Sequence, residues 1–390
     1  MNNELERIRK QLDRLDRNLI ETLAKRHEMV RRVSDLKLEN SREIRDTERE
    51  NELLNKVSEL ARERGLDRHF AEELFREILE HSVRYQHHSL LDHQNREGQA
   101  AHLRVAYQGT DGAYSHMAAM RHFRERYGEV ACYGYDTFHE AADAVSEGAC
   151  DVAILPVENT TAGSINDTYD ILGNGNLHIT GEEILRVVHC LMAPQDVPLE
   201  SIRRIISHPQ AIAQCSRFLG GLNRCRVESY IDTAKAARKV LEDGDLSQAA
   251  VAGAQAAKRY GLVILKHDLA NQSGNFTRFV VVAPEPVRCD PQIPAKTSLL
   301  LETDHREGQL LKCLQVLGDA HINMTKLESR PRPNRPWKYR FYLDIEGNAA
   351  ETPVREALDE MELRAGMLRV LGSYPSGQPR SEPWEADDEG

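Results

Sequence analysis

Two cations, Arg26 and Lys37, interrupt the apolar face of a helix that the N-terminal sequence predicts. Apolar residues recur along this face in steps of three and four, the spacing by which a helix packs against its partners. They are Leu5, Ile8, Leu12, Leu15, Leu19, Leu23, Val30 and Val33. Arg26 fills the one gap in this stripe, and Lys37 continues it at its edge. A buried cation is costly unless an anion compensates it, and no carboxylate occupies a stripe position between the two.

The spacing of the two cations suggests what the anion is. Arg26 and Lys37 are separated by roughly 16 Å along the helix axis and by about 20° around it. Two long side chains at this separation can close on one small dianion, so the pair predicts a site for a dicarboxylate. The alternative is that both side chains extend their charged ends into water at the edge of a coiled coil.

The composition limits the classes of partner. The 390 residues carry a formal net charge of −11, which argues against nucleic-acid binding because phosphate contacts need a basic surface. The sequence has no apolar run of membrane-spanning length and no signal-peptide pattern, so we expect no membrane partner. Its seven cysteines include no CxxC pair, which favours reduced thiols in a cytoplasmic protein. The histidines lack the spacing of a metal motif, so no metal site is expected.

Changes in the sequence pattern divide the chain into three predicted domains and a tail. Residues 1–92 predict three helices, and residues 103–284 predict a two-lobed α/β domain with a mostly parallel sheet. Residues 297–374 follow the order strand, helix, strand, strand, helix, strand, which is the α+β ferredoxin-like pattern. Residues 375–390 have the composition of a disordered tail. The first helix is too long to bury its stripe within the first domain, so we expect a homodimer or a higher homo-oligomer.

Polar side chains cluster where predicted strands of the middle domain end. In open α/β sheets, ligands bind at such carboxyl-end crevices. The candidates are Asn159, Thr160, Ser207, His208, Gln214, Thr233, Thr277 and Arg278. Each cluster alone is also explained as a helix cap or a turn, whereas several together favour a binding site. The chain contains no GxGxxG, Walker or GxSxG motif, which argues against dinucleotides, ATP and a hydrolase nucleophile.

The three segments, in this order, resemble the bifunctional chorismate mutase/prephenate dehydratase family of phenylalanine biosynthesis. The resemblance covers about residues 4–374. It rests on the arginine and lysine pattern of the helical segment and on four motifs. These are PVENTTAGSIND at 156–167, SHPQ at 207–210, NFTRF at 275–279 and LESRP at 327–331.

For the helical segment, the resemblance implies an all-α chorismate mutase dimer that needs no cofactor. The implied substrate-binding residues are Arg9, Arg26, Lys37, Asp46, Arg49, Glu50, Ser82 and Gln86. Arg9 would reach the site of the partner subunit. The enzyme has to hold a compact conformer of chorismate and stabilise charge on the ether oxygen as its bond breaks. We expect Lys37 and Gln86 to contact that oxygen, and Glu50 and the neighbourhood of Asp46 to contact the ring hydroxyl.

For the middle segment, the resemblance implies dehydration and decarboxylation of prephenate to phenylpyruvate, with Thr277 as the key catalytic group. A threonine hydroxyl is a poor acid. The driving force of aromatisation means that a hydrogen bond to the departing hydroxyl can suffice. The other strand-end residues are expected to line the pocket. Arg278 would pair with a substrate carboxylate or, as an equal alternative, form a structural salt bridge.

For the last segment, the resemblance implies an ACT domain that binds phenylalanine at a subunit interface and inhibits the dehydratase. The implied effector residues are Gly308, Gln309, Leu310, Leu311, Glu328, Ser329, Arg330 and Pro331. Gln309 and Leu311 depart from the family's usual Gly-Ala-Leu-Val, and this bears on the strength of inhibition.

Two other interpretations stay open at this point. A two-lobed α/β pattern also occurs in solute-binding proteins, although the buried cations of the first helix argue against that class. Alternatively, the helical segment serves only for dimerisation and the chain has one activity. A purely structural helix would have no need of Lys37 and Gln86.

Overall fold

The computed structural model forms two compact units, Met1–Glu97 and Gly98–Gly390. It describes residues 2–40, 47–94 and 102–376, except 125, 128, 223, 273, 290–293, 304–305 and 333–337. The predicted tail lies almost wholly outside this range. No helix of the described part is long and apolar enough to cross a membrane.

The first unit consists of three helices, as the sequence predicts. They are α1 (Asn2–Asn40), α2 (Thr47–Glu63) and α3 (Arg68–Gln94). Helix α3 packs against both of the others, and a small core around Val57, Ala61 and Ala71 joins it to α2. Gly65 follows α2 with a φ of 70°, a left-handed conformation that glycine adopts without strain.

The apolar stripe of α1 is only partly covered within one chain. Leu23 and Val30 are half-buried. Toward the N-terminus, by contrast, Leu12 is 52% exposed and Leu15 is 62% exposed. Contiguous exposed apolar surface of this kind marks an interaction site. The N-terminal part of α1 therefore presents an apolar face that its own chain leaves open.

The first lobe of the second unit is built on a sheet in the strand order β2-β1-β3-β11-β5, with β4 paired to β3. Its elements are β1 (His102–Gln108), α4 (Tyr114–Phe123), β2 (Glu129–Tyr135), α5 (Phe138–Ser146), β3 (Val152–Asn159), β4 (Gly163–Ser164), α6 (Asn166–Asn174), β5 (His178–Arg186) and β11 (Phe276–Ala283).

The second lobe has a sheet in the order β10-β6-β9-β7-β8. Its elements are β6 (His189–Ala193), β7 (Arg204–Ser207), α7 (Pro209–Gln214), α8 (Ser216–Gly220), β8 (Arg226–Ser229), α9 (Thr233–Asp243), β9 (Gln248–Gly253), α10 (Ala254–Tyr260) and β10 (Val263–Lys266). The chain crosses between the lobes after β5 and returns before β11, so both crossings lie beside the space between the lobes.

Both sheets are mixed, which corrects the expectation of a mostly parallel sheet. In the first lobe β11 runs antiparallel to β3 and β5, and in the second lobe β6 runs antiparallel to β9 and β10. The sequence pattern does not predict β5 and β6, the strands that lead into and out of the first crossing. These two strands carry much of the antiparallel pairing.

The C-terminal part has the predicted order strand, helix, strand, strand, helix, strand. The elements are β12 (Ala295–Glu302), α11 (Gln309–Asp319), β13 (Met324–Pro331), β14 (Tyr339–Glu346), α12 (Thr352–Arg364) and β15 (Met367–Pro375). They form an antiparallel sheet in the order β13-β14-β12-β15, called here the C-terminal sheet. One face packs on α11 and α12, and the other packs on the first lobe. A Cβ on Gly372 would overlap the carbonyl of Ile179, so β15 and β5 meet backbone to backbone.

Candidate functional sites

In the helical unit, the contact between α1 and α3 brings Arg26, Ser82 and Gln86 together. The Arg26 guanidinium donates to Ser82 Oγ at 2.5 Å, and Gln86 Nε2 donates to the Ser82 carbonyl at 3.3 Å. Ser82 and Gln86 are buried, and Gln86 Oε1 has no hydrogen-bond partner among the described residues. An unsatisfied buried amide oxygen next to a cation indicates a site that a polar ligand completes.

Arg26 carries an uncompensated charge in this cluster. Desolvation by the surrounding helices lowers its pKa below the ordinary arginine value. No carboxylate in the described part of the chain lies within ion-pair distance of it. Its one hydrogen bond to a described residue goes to a neutral hydroxyl. A half-buried guanidinium in this setting favours a bound anion, as the sequence pattern predicts.

The other residues predicted for this site differ in their exposure. Lys37 and Glu50 are half-buried, whereas Arg9 and Arg49 are exposed. The Arg49 guanidinium forms an ion pair with Glu52 at 2.9 Å. Asp46 lies outside the described residues.

In the second unit, a cavity of about 300 Å³ lies between the two lobes. This space, called here the cleft, is large enough for a small organic substrate. It is lined by Gln108, Ala113, Tyr114, Ser115, Phe138, Pro156, Asn159, Ile165, Val187, His189, His208, Gln210, Ala211, Gln214, Ile231, Asp232, Thr233, Thr277 and Phe279. Thr277 on β11 and Asn159 on β3 stand directly opposite each other in the sheet.

The orientation of the Asn159 amide is fixed by backbone contacts. Its Oδ1 accepts from the backbone N–H groups of Thr161 at 3.1 Å and of Ala162 at 2.9 Å. Nδ2 must therefore be the donor group, and it lies 2.9 Å from Thr277 Oγ1. Because Thr277 accepts this bond, its own hydroxyl hydrogen is left to donate into the cleft. Thr277 is thus prepared to hydrogen-bond a substrate oxygen.

A series of hydrogen-bonded side-chain amides connects Asn159 to His189. Asn159 Nδ2 also donates to Asn275 Oδ1 at 2.8 Å, and Asn275 Nδ2 donates to Gln214 Oε1 at 3.1 Å. Since Gln214 Oε1 is an acceptor, His189 Nε2 must carry a hydrogen to make its 2.7 Å contact with it. Burial lowers the pKa of His189, so the ring is neutral near pH 7. Burial therefore favours the neutral ring, and the network places its hydrogen on Nε2.

The cleft offers neutral donors to a ligand. Neither lysine nor arginine occurs among the described residues that line it. Ser115 lines it in the first turn of α4, is 6% exposed and has no side-chain partner in the described part of the chain. No side chain caps the N-terminal N–H groups of α4. Together these groups can receive a carboxylate.

Among the predicted cleft residues, Asn159, His208, Gln214, Thr233 and Thr277 line the cleft. His208 also caps α7 through Nδ1, which accepts from Gln210 N at 3.2 Å, and its burial lowers its pKa. His208 therefore also serves as a helix cap, which is the alternative that the sequence left open.

Thr160 and Ser207 have structural partners instead. Thr160 Oγ1 donates to the Gly274 carbonyl and accepts from Phe276 N, so it fastens the loop before β11. Ser207 is fully buried and donates to the Val251 carbonyl on β9 at 2.5 Å. Neither of the two belongs to the described lining of the cleft, which corrects their expected role there.

Arg278 faces away from the cleft. Its guanidinium contacts Glu182 at 2.6 Å, Asp344 at 2.5 Å and the Tyr374 hydroxyl at 2.9 Å. These three groups occupy it, which corrects the expectation that Arg278 meets a substrate carboxylate. The alternative, a structural salt bridge, agrees with the geometry.

Sequence reasoning missed four residues of the cleft and its network: Tyr114, Ser115, His189 and Asn275. Asn275 is the first residue of the NFTRF motif, and this position could have identified it as a candidate site residue. Tyr114 and Ser115 follow a glycine-rich turn at the start of a helix, which is itself an anion-site signal. His189 begins a strand that the sequence reading did not identify.

The predicted effector residues fall into two groups. Gly308 has a φ of 71° and precedes α11, where Gln309 donates to the Arg364 carbonyl and Leu311 is 68% exposed. Leu310 packs on the core of the C-terminal part. On β13, Glu328 accepts from Ser164 Oγ and Arg330 pairs with Asp170, whereas Ser329 and Pro331 are exposed.

Comparisons with known proteins agree with this division of the chain. Family models match for chorismate mutase type II over residues 8–87 and for prephenate dehydratase over residues 105–287. The bifunctional chorismate mutase/prephenate dehydratase of Escherichia coli (strain K12) is 37% identical over 374 residues, covering 96% of this chain and 97% of the relative. The chain belongs to the bifunctional chorismate mutase/prephenate dehydratase family.

Two further proteins are similar to this chain. The bifunctional enzyme of Buchnera aphidicola subsp. Schizaphis graminum (strain Sg) is 33% identical over 377 residues, which is 96% of this chain and 97% of that relative. A solved prephenate dehydratase of Arthrobacter aurescens in complex with L-Phe is 26% identical, with a TM-score of 0.65 over 72% of this chain and 92% of that one. The two predicted activities, chorismate mutase and prephenate dehydratase, are thereby confirmed.

The direction of the hydrogen bond between Asn159 and Thr277 is testable with a nearly isosteric change. In Asn159→Asp the new carboxylate still accepts from the backbone but no longer donates, so Thr277 turns its hydrogen toward it. We expect dehydratase kcat to fall by about a hundredfold or more. The chorismate mutase rate of the same protein is the control for folding. A dehydratase kcat within threefold of the parent would contradict the assignment.

Proposed function

We propose that Arg26 and Lys37 bind the two carboxylates of chorismate, assisted by Arg9 of a second copy. The proposal is supported by the half-buried Arg26 guanidinium, which no carboxylate of the described residues compensates and whose fork matches a carboxylate. The rearrangement breaks one C–O bond and forms one C–C bond within the substrate, and no proton or electron leaves it. Donors near the ether oxygen lower its barrier, and Gln86 with Lys37 take that role. Asp46, Arg49, Glu50 and Ser82 complete the proposed set.

In the dehydratase, Thr277 donates a hydrogen bond to the ring hydroxyl of prephenate as that group departs. The ring carboxylate leaves as carbon dioxide, and its bonding electrons enter the ring while the C–O bond to the hydroxyl breaks. Prephenate and one proton thus give phenylpyruvate, carbon dioxide and water. The observation that carries this proposal is the 2.9 Å contact between Asn159 Nδ2 and Thr277 Oγ1, in which the amide orientation of Asn159 makes Thr277 the acceptor.

The described lining of the cleft contains no lysine or arginine, and this suits the chemistry. An arginine paired with the departing carboxylate would stabilise the substrate more than the transition state, because the negative charge moves from that carboxylate into the ring. Ser115 and the N-terminus of α4 provide weaker, neutral donors. Gln214 and Thr233 line the cleft beside them, and His208 lines it from the second lobe.

We further propose that the C-terminal part is an ACT domain that binds phenylalanine and inhibits the dehydratase. Its βαββαβ order and its antiparallel strand order support this assignment. The related dehydratase of Arthrobacter aurescens is known in complex with L-Phe. The proposed effector residues are those around Gly308–Leu311 and Glu328–Pro331. Gln309 and Leu311 are expected to alter effector affinity.

The active protein is proposed to be a homodimer. The exposed apolar half of α1 supports this, since a second copy would cover Leu12 and Leu15 and bring Arg9 to the other site. A cytoplasmic location stays a prediction, which the seven free cysteines support.

A time course of chorismate, prephenate and phenylpyruvate tests the separation of the two sites. We expect Arg26→Ala to lose the mutase step by about a hundredfold or more and still to convert added prephenate, because its cleft is intact. Thr277→Ala should convert chorismate normally and accumulate prephenate. If either change abolished both steps in a folded protein, the assignment of separate sites would be wrong.

A subunit-mixing experiment tests the shared mutase site. Arg9→Ala and Arg26→Ala should each be nearly inactive alone, since every site then lacks one arginine. After subunit exchange, half of the dimers are mixed, and one of the two sites in each mixed dimer is intact. Mutase activity should return to about one quarter of the parent value. Mixed dimers detected by native mass spectrometry without any recovery of activity would refute the sharing of Arg9.

A further inference from the structure

Strands β3 and β11 carry two neighbouring cross-strand pairs with opposite orientations. Thr277 stands opposite Asn159, and Arg278 stands opposite Glu158. Successive residues of a strand point to opposite faces of the sheet. The first pair lines the cleft, so the second pair faces the C-terminal sheet. The pairing of the two strands shifts directly after Arg278, where β3 contains one extra residue, Val157, and such bulges re-aim side chains next to active sites.

The C-terminal sheet holds Arg278 in a buried ionic cluster. Arg278 bonds to Glu182 of β5, to Asp344 of β14 and to the Tyr374 hydroxyl of β15. The Lys296 ammonium completes the cluster at 3.0 Å from Glu182. All four charged side chains are at most 12% exposed. Two cations and two carboxylates balance, so moving one of them would leave another uncompensated.

The same sheet holds Glu158 through β13. Lys326 Nζ lies 2.8 Å from the Glu158 carboxylate, and its side chain is 12% exposed. Glu158 directly precedes Asn159 in the chain. Thr277 and Asn159 are therefore each adjacent in the chain to a residue that is bonded to the C-terminal sheet.

We propose that Arg278 and Glu158 are positioning residues through which the C-terminal sheet holds Thr277 and Asn159 in reactive alignment. A shift of β13 or β14 against the first lobe moves Glu158 or Arg278, and with it the neighbouring residue in the cleft. The regulatory half of the inference rests on the proposed effector site: phenylalanine bound on the C-terminal sheet would alter dehydratase turnover by way of these two contacts. No movement of the second lobe is needed.

The experiment uses the full-length protein and measures both activities. Lys326→Met removes the partner of Glu158 and leaves the cleft lining unchanged. We expect dehydratase kcat to fall about tenfold, since small misplacements of reacting groups cost up to a hundredfold, while KM changes little. Lys326→Arg keeps the charge and should restore most of kcat. The mutase rate should be unchanged in both.

A second variant acts on the other contact. Tyr374→Phe removes one of the three partners of Arg278 without removing a charge, and it should lower dehydratase kcat severalfold. Asp151→Asn is the matched control, because it breaks a 2.7 Å ion pair with Arg104 beside the opposite end of β3. That variant should keep both rates, and thermal unfolding of every variant reports any general loss of stability.

The outcomes separate the inference from the proposed function. If Lys326→Met and Tyr374→Phe are folded and keep dehydratase kcat within twofold of the parent, the positioning role is wrong, while the catalytic assignment stands. If Asp151→Asn lowers kcat as much as they do, the effect is general destabilisation and the inference also fails. Loss of phenylalanine inhibition in Lys326→Met supports the regulatory half. Unchanged inhibition refutes that half, and absence of inhibition in the parent refutes the effector site instead.

Discussion

The orientation of one side-chain amide determines what the dehydratase cleft can do. Asn159 accepts two backbone hydrogen bonds from the turn after β3, so its nitrogen can only donate toward Thr277 and Asn275. From that single constraint follow the free hydrogen of Thr277, the acceptor role of Gln214 and the tautomer of His189. The cleft is therefore preorganised by hydrogen bonds that are made before any substrate arrives, which is how a weak donor such as a threonine hydroxyl becomes useful.

The two sites of this chain treat anionic substrates in different ways. In the proposed helical site, the half-buried guanidinium of Arg26 has no described carboxylate to compensate it, which suits a reaction that keeps both carboxylates and needs them held still. The dehydratase cleft has no cation among its described lining residues, and one of the carboxylates of its substrate must leave as carbon dioxide. Strong binding of that group would oppose its departure. The difference in side-chain chemistry thus follows from the difference in bond breaking.

The sequence predicts the segments of the chain more completely than the contacts between their side chains. Arg26 was identifiable because a cation on an apolar stripe breaks the pattern, and Thr277 because its motif resembles a known family. Strands β5 and β6 were missed, since both lie in one stretch that continues across the lobe crossing without a turn signal. Arg278 stayed ambiguous because sequence alternation alone does not tell which face of β11 is the cleft. The partners that decide it, Glu182 and Asp344, are 96 and 66 residues away along the chain.

A crystal structure of the protein with an unreactive prephenate analogue that retains the ring hydroxyl tests the central claim most directly. We expect the hydroxyl oxygen to lie about 2.8 Å from Thr277 Oγ1, with Asn159 still bonded to the backbone of its turn. A ring hydroxyl bound to His208 or His189 instead, or an Asn159 amide turned away from Thr277, would contradict it.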